Sequence, residues 1–258
     1  MAWFYNAVLF LFGAAMGSAA NAIIDRLPRN ESWFAGRSKC DKCGHVLNWI
    51  DLIPVFSFLW LRGKCRYCRF SIPFRNLWVE VVMGVTAILN FKFLIFNQLS
   101  IINYLIFCVT VIIAVMDWET KLVSEMLVII WAVLIVTEKF SIFNFQFSIN
   151  YFISQFSNNF WGLLVGVGLI GGIWAVSRGR AMGFGDVEIA AVMGWWLGWP
   201  KILVGLWAAF VSGAVVALWF VGMKKLKMKS TIAFGPFLVL GSWAASLWGD
   251  KIIRWLNF

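Results

Sequence analysis

Residues 99–116 read Leu-Ser-Ile-Ile-Asn-Tyr-Leu-Ile-Phe-Cys-Val-Thr-Val-Ile-Ile-Ala-Val-Met without one charged side chain, and the run closes directly on Asp117. As a helix this stretch is about 27 Å long, close to the roughly 30 Å of a bilayer's hydrocarbon core. Seven more apolar stretches flank it, at about 3–24, 77–97, 122–137, 159–177, 187–199, 202–223 and 232–249. Glu80 and Lys92 interrupt the stretch at 77–97, and the stretch at 187–199 is short for a span. Of 258 residues 62% are hydrophobic and 13% charged, with mean hydropathy +0.82. Soluble domains are about half apolar and a quarter charged, so an ordinary globular protein is excluded. The 17 Trp and 25 Phe exclude a disordered chain as well. The expected fold is an all-α polytopic membrane protein of about eight transmembrane helices.

The formal net charge is +10, and its distribution is more informative than its sum. If the spans alternate, residues 25–76, 117–121, 178–186 and 224–231 share one side and hold 17 of the 22 Lys and Arg residues. Basic loops stay in the cytoplasm, so this side faces inward and both termini face outward. The charge then suits anionic headgroups and not nucleic acid. No cleavable signal peptide is evident, because Met1 to Ala22 has no basic start and is long enough to remain as a span. The chain reads as a first transmembrane helix (1–24), a cytoplasmic cysteine-bearing domain (25–76) and a transmembrane body (77–258). Phe143, Phe145, Phe147 and Ile149 alternate with polar residues, a period that suits a short strand or extended surface segment. No repeat of 20 to 50 residues is present.

The inward region contains Cys40-x-x-Cys43 and, 21 residues on, Cys65-x-x-Cys68. Each pair can close a tight knuckle offering two thiolates to one ion, and four thiolates in a tetrahedron suit structural Zn²⁺. Nearby Lys and Arg favour thiolates. A disulfide suits a reducing compartment less well, and an iron–sulfur cluster is a third reading. With four cysteines present, His45 reads as a surface residue, and Cys108 as packing within an apolar run. Two rival functions follow from the same motif. A membrane thiol oxidoreductase would use the CxxC pairs as a relay, and a non-catalytic zinc-ribbon anchor would recruit lipid or a partner. Neither gives the acidic residues a task.

Only six Asp and six Glu are present. Asp117 ends one apolar run and Asp186 opens another, both on the inward side. A carboxylate in a span is costly, which invites a functional reading. For Asp117 by itself, a cap or an interfacial ion pair is the plainer explanation. Asp186 stands in Gly183-Phe184-Gly185-Asp186, where two glycines permit close backbone approach, so a substrate strand can lie against the carboxylate.

Taken together, the chain resembles the type IV prepilin peptidases, bifunctional membrane enzymes of the GxGD aspartyl protease class. The likeness runs from Gly13 to Gly241. It includes Gly17-Ser18-x-x-Asn21, Arg26-Leu27-Pro28, both CxxC pairs, Asp51-Leu52-Ile53-Pro54, Leu61-Arg62-Gly63-Lys64-Cys65-Arg66, Asp117, Gly183-Phe184-Gly185-Asp186 and Phe234-Gly235-Pro236-Phe237-Leu238. The resemblance implies Asp117 and Asp186 as the catalytic pair, with Gly183 and Gly185 in support. It implies Cys40, Cys43, Cys65 and Cys68 as a zinc site, and 77–258 as an aspartyl peptidase domain. It further implies removal of a short basic leader from prepilins or type II secretion pseudopilins at the cytoplasmic face of the bacterial inner membrane. N-methylation of the new terminus with S-adenosylmethionine would follow. The chain departs from the family at Ser124-Glu125, where Pro-Asp is usual, and at Glu188, where Lys is common. Leu52 replaces a common Asn, and Ala233 a usual Pro.

Overall fold

The computed structural model describes residues 2–32, 36–93, 98–145, 149–223 and 232–256. Its helices are α1 (Ala2–Arg26), α2 (Phe56–Trp60), α3 (Phe74–Phe93), α4 (Gln98–Thr120), α5 (Glu125–Phe145), α6 (Ile149–Gly166), α7 (Gly172–Ser177), α8 (Phe184–Leu197), α9 (Lys201–Gly222) and α10 (Gly235–Trp255). No β-strand occurs among the described residues, so the all-α expectation agrees with the observed fold. Each of the eight apolar stretches forms helix over most of its described residues. Four helices are long and apolar enough to cross a membrane: Trp3–Arg29, Leu99–Thr120, Ile153–Ser177 and Lys201–Gly222. On these and their neighbours, Ile129, Val133, Trp207, Val215 and Leu218 are exposed although apolar, as lipid-facing side chains are.

The alternation at 143–150 does not build a strand where it is described. Residues 143–145 close α5 and residues 149–150 open α6, while 146–148 lie outside the described residues. The helix started by the uniformly apolar run before residue 140 extends to Phe145 and overrides the alternating period there. The basic stretch 224–229 also lies outside the described residues.

The chain divides into two compact units, Met1–Ile112 and Ile113–Phe258, with the division inside α4. In the first, α1 and α3 pack along their length. Gly13 and Gly17, one turn apart on α1, let the helices touch backbone to backbone, for a Cβ at either would fall on Met83, Gly84 or Glu80 of α3. In the second, α8 is the centre, with α5, α6 and α10 all packed against it. Its contact with α6 is again made by glycines: a Cβ at Gly162 would strike the backbone of Gly194 and Gly198, and one at Gly194 the backbone of Gly162. Helix α8 has only 14 residues. Its far end is held by a T-shaped series, Trp131–Trp196 at 6.2 Å and Trp196–Trp243 at 5.1 Å, and Trp196 Nε1 donates to Glu138 at 3.1 Å. Between α6 and α7 the chain makes one π-helical turn, Val167–Gly171, in a glycine-rich run.

Candidate active site and cysteine centre

Asp117 lies three residues before the end of α4, where Lys121 adopts a left-handed conformation (φ 56°) and its N–H returns to the Asp117 carbonyl at 2.8 Å. The carboxyl is buried, and its Oδ2 accepts the backbone N–H of Gly235 at 2.9 Å. Gly235 is the first residue of α10, so the acid sits on the positive end of that helix. A Cβ at 235 would lie 2.6 Å from Asp117 Oδ2 and 3.2 Å from Ile189 Cδ1, so only glycine leaves room for the carboxyl.

Asp186 occupies the first turn of α8. It is also buried, and its Oδ2 accepts the Gly183 N–H at 3.2 Å, closing the helix start on itself. The negative charge of Asp117 acts on Asp186. Thus the two acids named from the sequence, 69 positions apart, fall in one unit and interact through their charges. Gly185 has a different role from the one its motif suggests: a Cβ there would lie 2.6 Å from Val123, so the missing side chain admits the loop before α5. Gly183 has ordinary backbone angles, and a Cβ there would make only ordinary contact with Asp186 Oδ2 at 3.9 Å. Of the departures, Glu125 opens α5 and Glu188 lies in the first turns of α8, and the charge of Glu125 acts on Glu188.

Two residues of the pattern were not singled out as site residues. The Gly235 amide was legible only as part of Phe234-Gly235-Pro236-Phe237. Glu80 was visible as a charge interrupting an apolar run. In the first unit Glu80 is buried and accepts the N–H of Val55 at 2.6 Å, holding a β-branched residue at φ 62°, a conformation such side chains rarely adopt.

The two cysteine knuckles are built alike. The Cys40 carbonyl accepts the Gly44 N–H at 2.9 Å and its N–H donates to His45. Likewise the Cys65 carbonyl accepts from Arg69 at 3.0 Å and its N–H donates to Phe70. The fourth residue after the first cysteine turns left-handed in both, at Gly44 (φ 67°) and Arg69 (φ 60°). Asp51 joins the knuckle region together, accepting from Arg66 Nε at 2.7 Å and from the Asn48 N–H at 3.2 Å. All four sulfurs lie within 4.8 Å of one another. Cys40 and Cys68 are 3.7 Å apart, far beyond the about 2.05 Å of a disulfide. A tetrahedron with arms of about 2.3 Å has edges of about 3.8 Å, so this spacing fits zinc. The backbone amide of Cys43 is the main cause that lowers the Cys40 thiol to about 7. Cys68 is raised to about 11. There the Phe70 amide pulls the other way and is outweighed by desolvation and the three neighbouring thiols. Crowded thiols that share protons in this manner release them to a cation. His45 is exposed and packs on Tyr67 with ring centroids 3.7 Å apart, and Cys108 is buried within α4.

Residues 11–93 match the family model described as Bacterial Peptidase A24 N-terminal domain, and residues 104–218 match the Type IV leader peptidase family. A protein of Aeromonas salmonicida (strain A449) named prepilin leader peptidase/N-methyltransferase is 27% identical over 280 residues, covering 98% of this chain and 94% of the relative. Its namesake in Aeromonas hydrophila is 28% identical over 283 residues, with the same coverage. The Pseudomonas aeruginosa protein of that name is 25% identical over 273 residues, covering 95% and 90%. No solved structure matches. With two family models matched in order and the relatives aligned over nearly their full length, the chain belongs to the type IV leader peptidase family and is a membrane peptidase.

Proposed function

We propose that the chain removes the short basic leader of a type IV prepilin or type II secretion pseudopilin at the cytoplasmic face of the bacterial inner membrane, with Asp117 and Asp186 as its catalytic pair. The observation that carries this reading is the pair of buried carboxyls, from α4 and the first turn of α8, whose charges interact inside the residues matched by the leader peptidase model. Two close carboxyls share one proton, since both ionise only at a high cost. The ionised one takes a proton from water as the water oxygen bonds to the scissile carbonyl carbon, and the protonated one donates to the carbonyl oxygen. Collapse restores the carbonyl and breaks the C–N bond, the departing amine receiving the proton that came from water. The Gly235 amide holds the Asp117 carboxyl in place throughout.

The same reading gives eight spans with both termini outside, a first helix at 1–24, a zinc domain at 25–76 and an aspartyl peptidase domain at 77–258. Zn²⁺ held by Cys40, Cys43, Cys65 and Cys68 is structural, because four thiolates leave no open position. The relatives' names include N-methyltransferase, and this chain is assigned that second activity too, with S-adenosylmethionine as donor. Incubating the purified protein with a prepilin peptide and weighing the products tests the peptidase. Asp117→Asn and Asp186→Asn each lower leader removal by about 10³-fold or more while helical content is kept. Near wild-type cleavage by either variant would remove the dyad assignment.

A further inference from the structure

The short helix α2 follows the left-handed Val55 in the first unit, whereas Asp117 and Asp186 belong to the second. Its residues divide by helical spacing. Ser57, Phe58 and Leu61 turn inward and line a cavity of the first unit. Phe56, Leu59 and Trp60, at positions i, i+3 and i+4, stand together on the other side and are 55%, 61% and 72% exposed. Phe56 and Trp60 stack on one another with ring centroids 5.8 Å apart. Three large apolar side chains turned outward on one face mark a surface that meets something other than water.

Two contacts fix the level of this face along α3. Phe58 meets Phe74, the first residue of α3, edge to face with centroids 6.3 Å apart. The Val55 N–H donates to Glu80 at 2.6 Å, six residues beyond Phe74 and about 9 Å further along the helix axis. The apolar stretch that carries α3 into the bilayer begins at about residue 77, between these two ties. Helix α2 therefore lies where α3 enters the membrane, the level at which interfacial helices bury an apolar face about 5–10 Å deep. Trp and other aromatic residues favour that layer. The accessible charge beside it has one sign. Between His45 and Phe74 the only acid is Asp51, whose side chain is almost wholly buried and paired with Arg66. Arg62, Lys64 and Arg69, which follow α2, are exposed. Anionic headgroups complement these cations, whereas a basic leader or a second copy of the same surface would be repelled.

Resting on the reading that residues 25–76 lie on the cytoplasmic side, we infer that Phe56, Leu59 and Trp60 insert into the inner leaflet and that anionic phospholipid headgroups pair with Arg62, Lys64 and Arg69. The cysteine centre hangs from this anchor. The Gly63 N–H donates to the Phe58 carbonyl at 2.8 Å, and Cys65 stands two residues beyond. The leaflet thereby sets the height of the second knuckle, and α2 is a lipid contact in its own right and not a linker.

The test uses the full chain reconstituted in phosphatidylcholine vesicles with and without phosphatidylglycerol. Benzoylphenylalanine replaces the exposed Trp60, and the irradiated protein is mapped by peptide mass spectrometry. The peptide carrying position 60 is expected to gain the mass of a phospholipid, severalfold more often when phosphatidylglycerol is present. Hydrogen exchange of the wild-type chain is expected to slow severalfold over residues 56–61 in the same anionic vesicles. A crosslink from position 60 to protein, no lipid adduct, or equal yield and exchange in both kinds of vesicle would each overturn the inference. The exchange measurement needs no substitution, so it decides the matter even where the substituted chain fails to fold. Trypsin reports sidedness separately: cutting within 25–76 is expected in inverted membrane vesicles and not in right-side-out ones. The reverse pattern would remove the inner leaflet as the occupant, a failure that the lipid crosslink does not share.

Discussion

The Gly235 amide is a small group with a large duty. It donates a hydrogen bond to the Asp117 carboxyl, and its residue has no side chain because none fits. Gly235→Ala forces the carboxyl or α10 aside. A displacement of about an ångström at reacting atoms costs on the order of 10²-fold in rate, so kcat is expected to fall by about that factor with KM nearly unchanged. Steady-state kinetics on a prepilin peptide measure the split, and a rise in KM alone would argue that Gly235 serves binding. Asp117 and Asp186 were legible in the sequence, because a carboxylate bordering an apolar run stands out and Asp186 also carries its glycines. The amide was not, since its partner lies 118 positions away and only the fold joins them. Gly185 was legible as necessary, but the neighbour that leaves no room for a side chain there, Val123, was not.

At the level of elements, the helix pairs that form both units depend on glycine contacts. Gly162 and Gly194 bring α6 and α8 together so closely that a side chain at either position has no direction to take. Gly194→Leu is expected to separate them at a cost of about 3 kcal/mol or more, since overpacked sites relax poorly. Thermal melts followed by tryptophan fluorescence in detergent read this as a lower midpoint. An unchanged midpoint would mean the α6–α8 contact contributes little to stability. That residues 122–137 and 159–177 were helical could be read from unbroken apolar composition. That α6 begins as early as Ile149 could not, because the local period over 143–150 favours a strand and helix propagation from both neighbours outweighs it. The knuckles were legible from spacing alone, whereas their shared left-handed turn is occupied by Gly in one and Arg in the other, which hides the likeness.

In the molecule as a whole, the cysteine centre and the acid pair occupy different units, which separates what metal removal does from what acid removal does. Elemental analysis is expected to find about one zinc per chain. A strong chelator is expected to make residues 36–73 sensitive to protease while far-UV circular dichroism loses little, because the long helices pack without the metal. Leader removal then falls partially, and complete loss of helical signal would show that the metal holds both units. The shortness of α8 has its own consequence. Its 14 residues rise about 21 Å, against a hydrocarbon layer of about 30 Å. A bilayer that meets the first turn of α8 must dimple toward it, and thick leaflets resist dimpling more than thin ones. Reconstituted in vesicles of increasing acyl-chain length, the enzyme is expected to slow severalfold, with membrane thickness acting as a dial on access to Asp186.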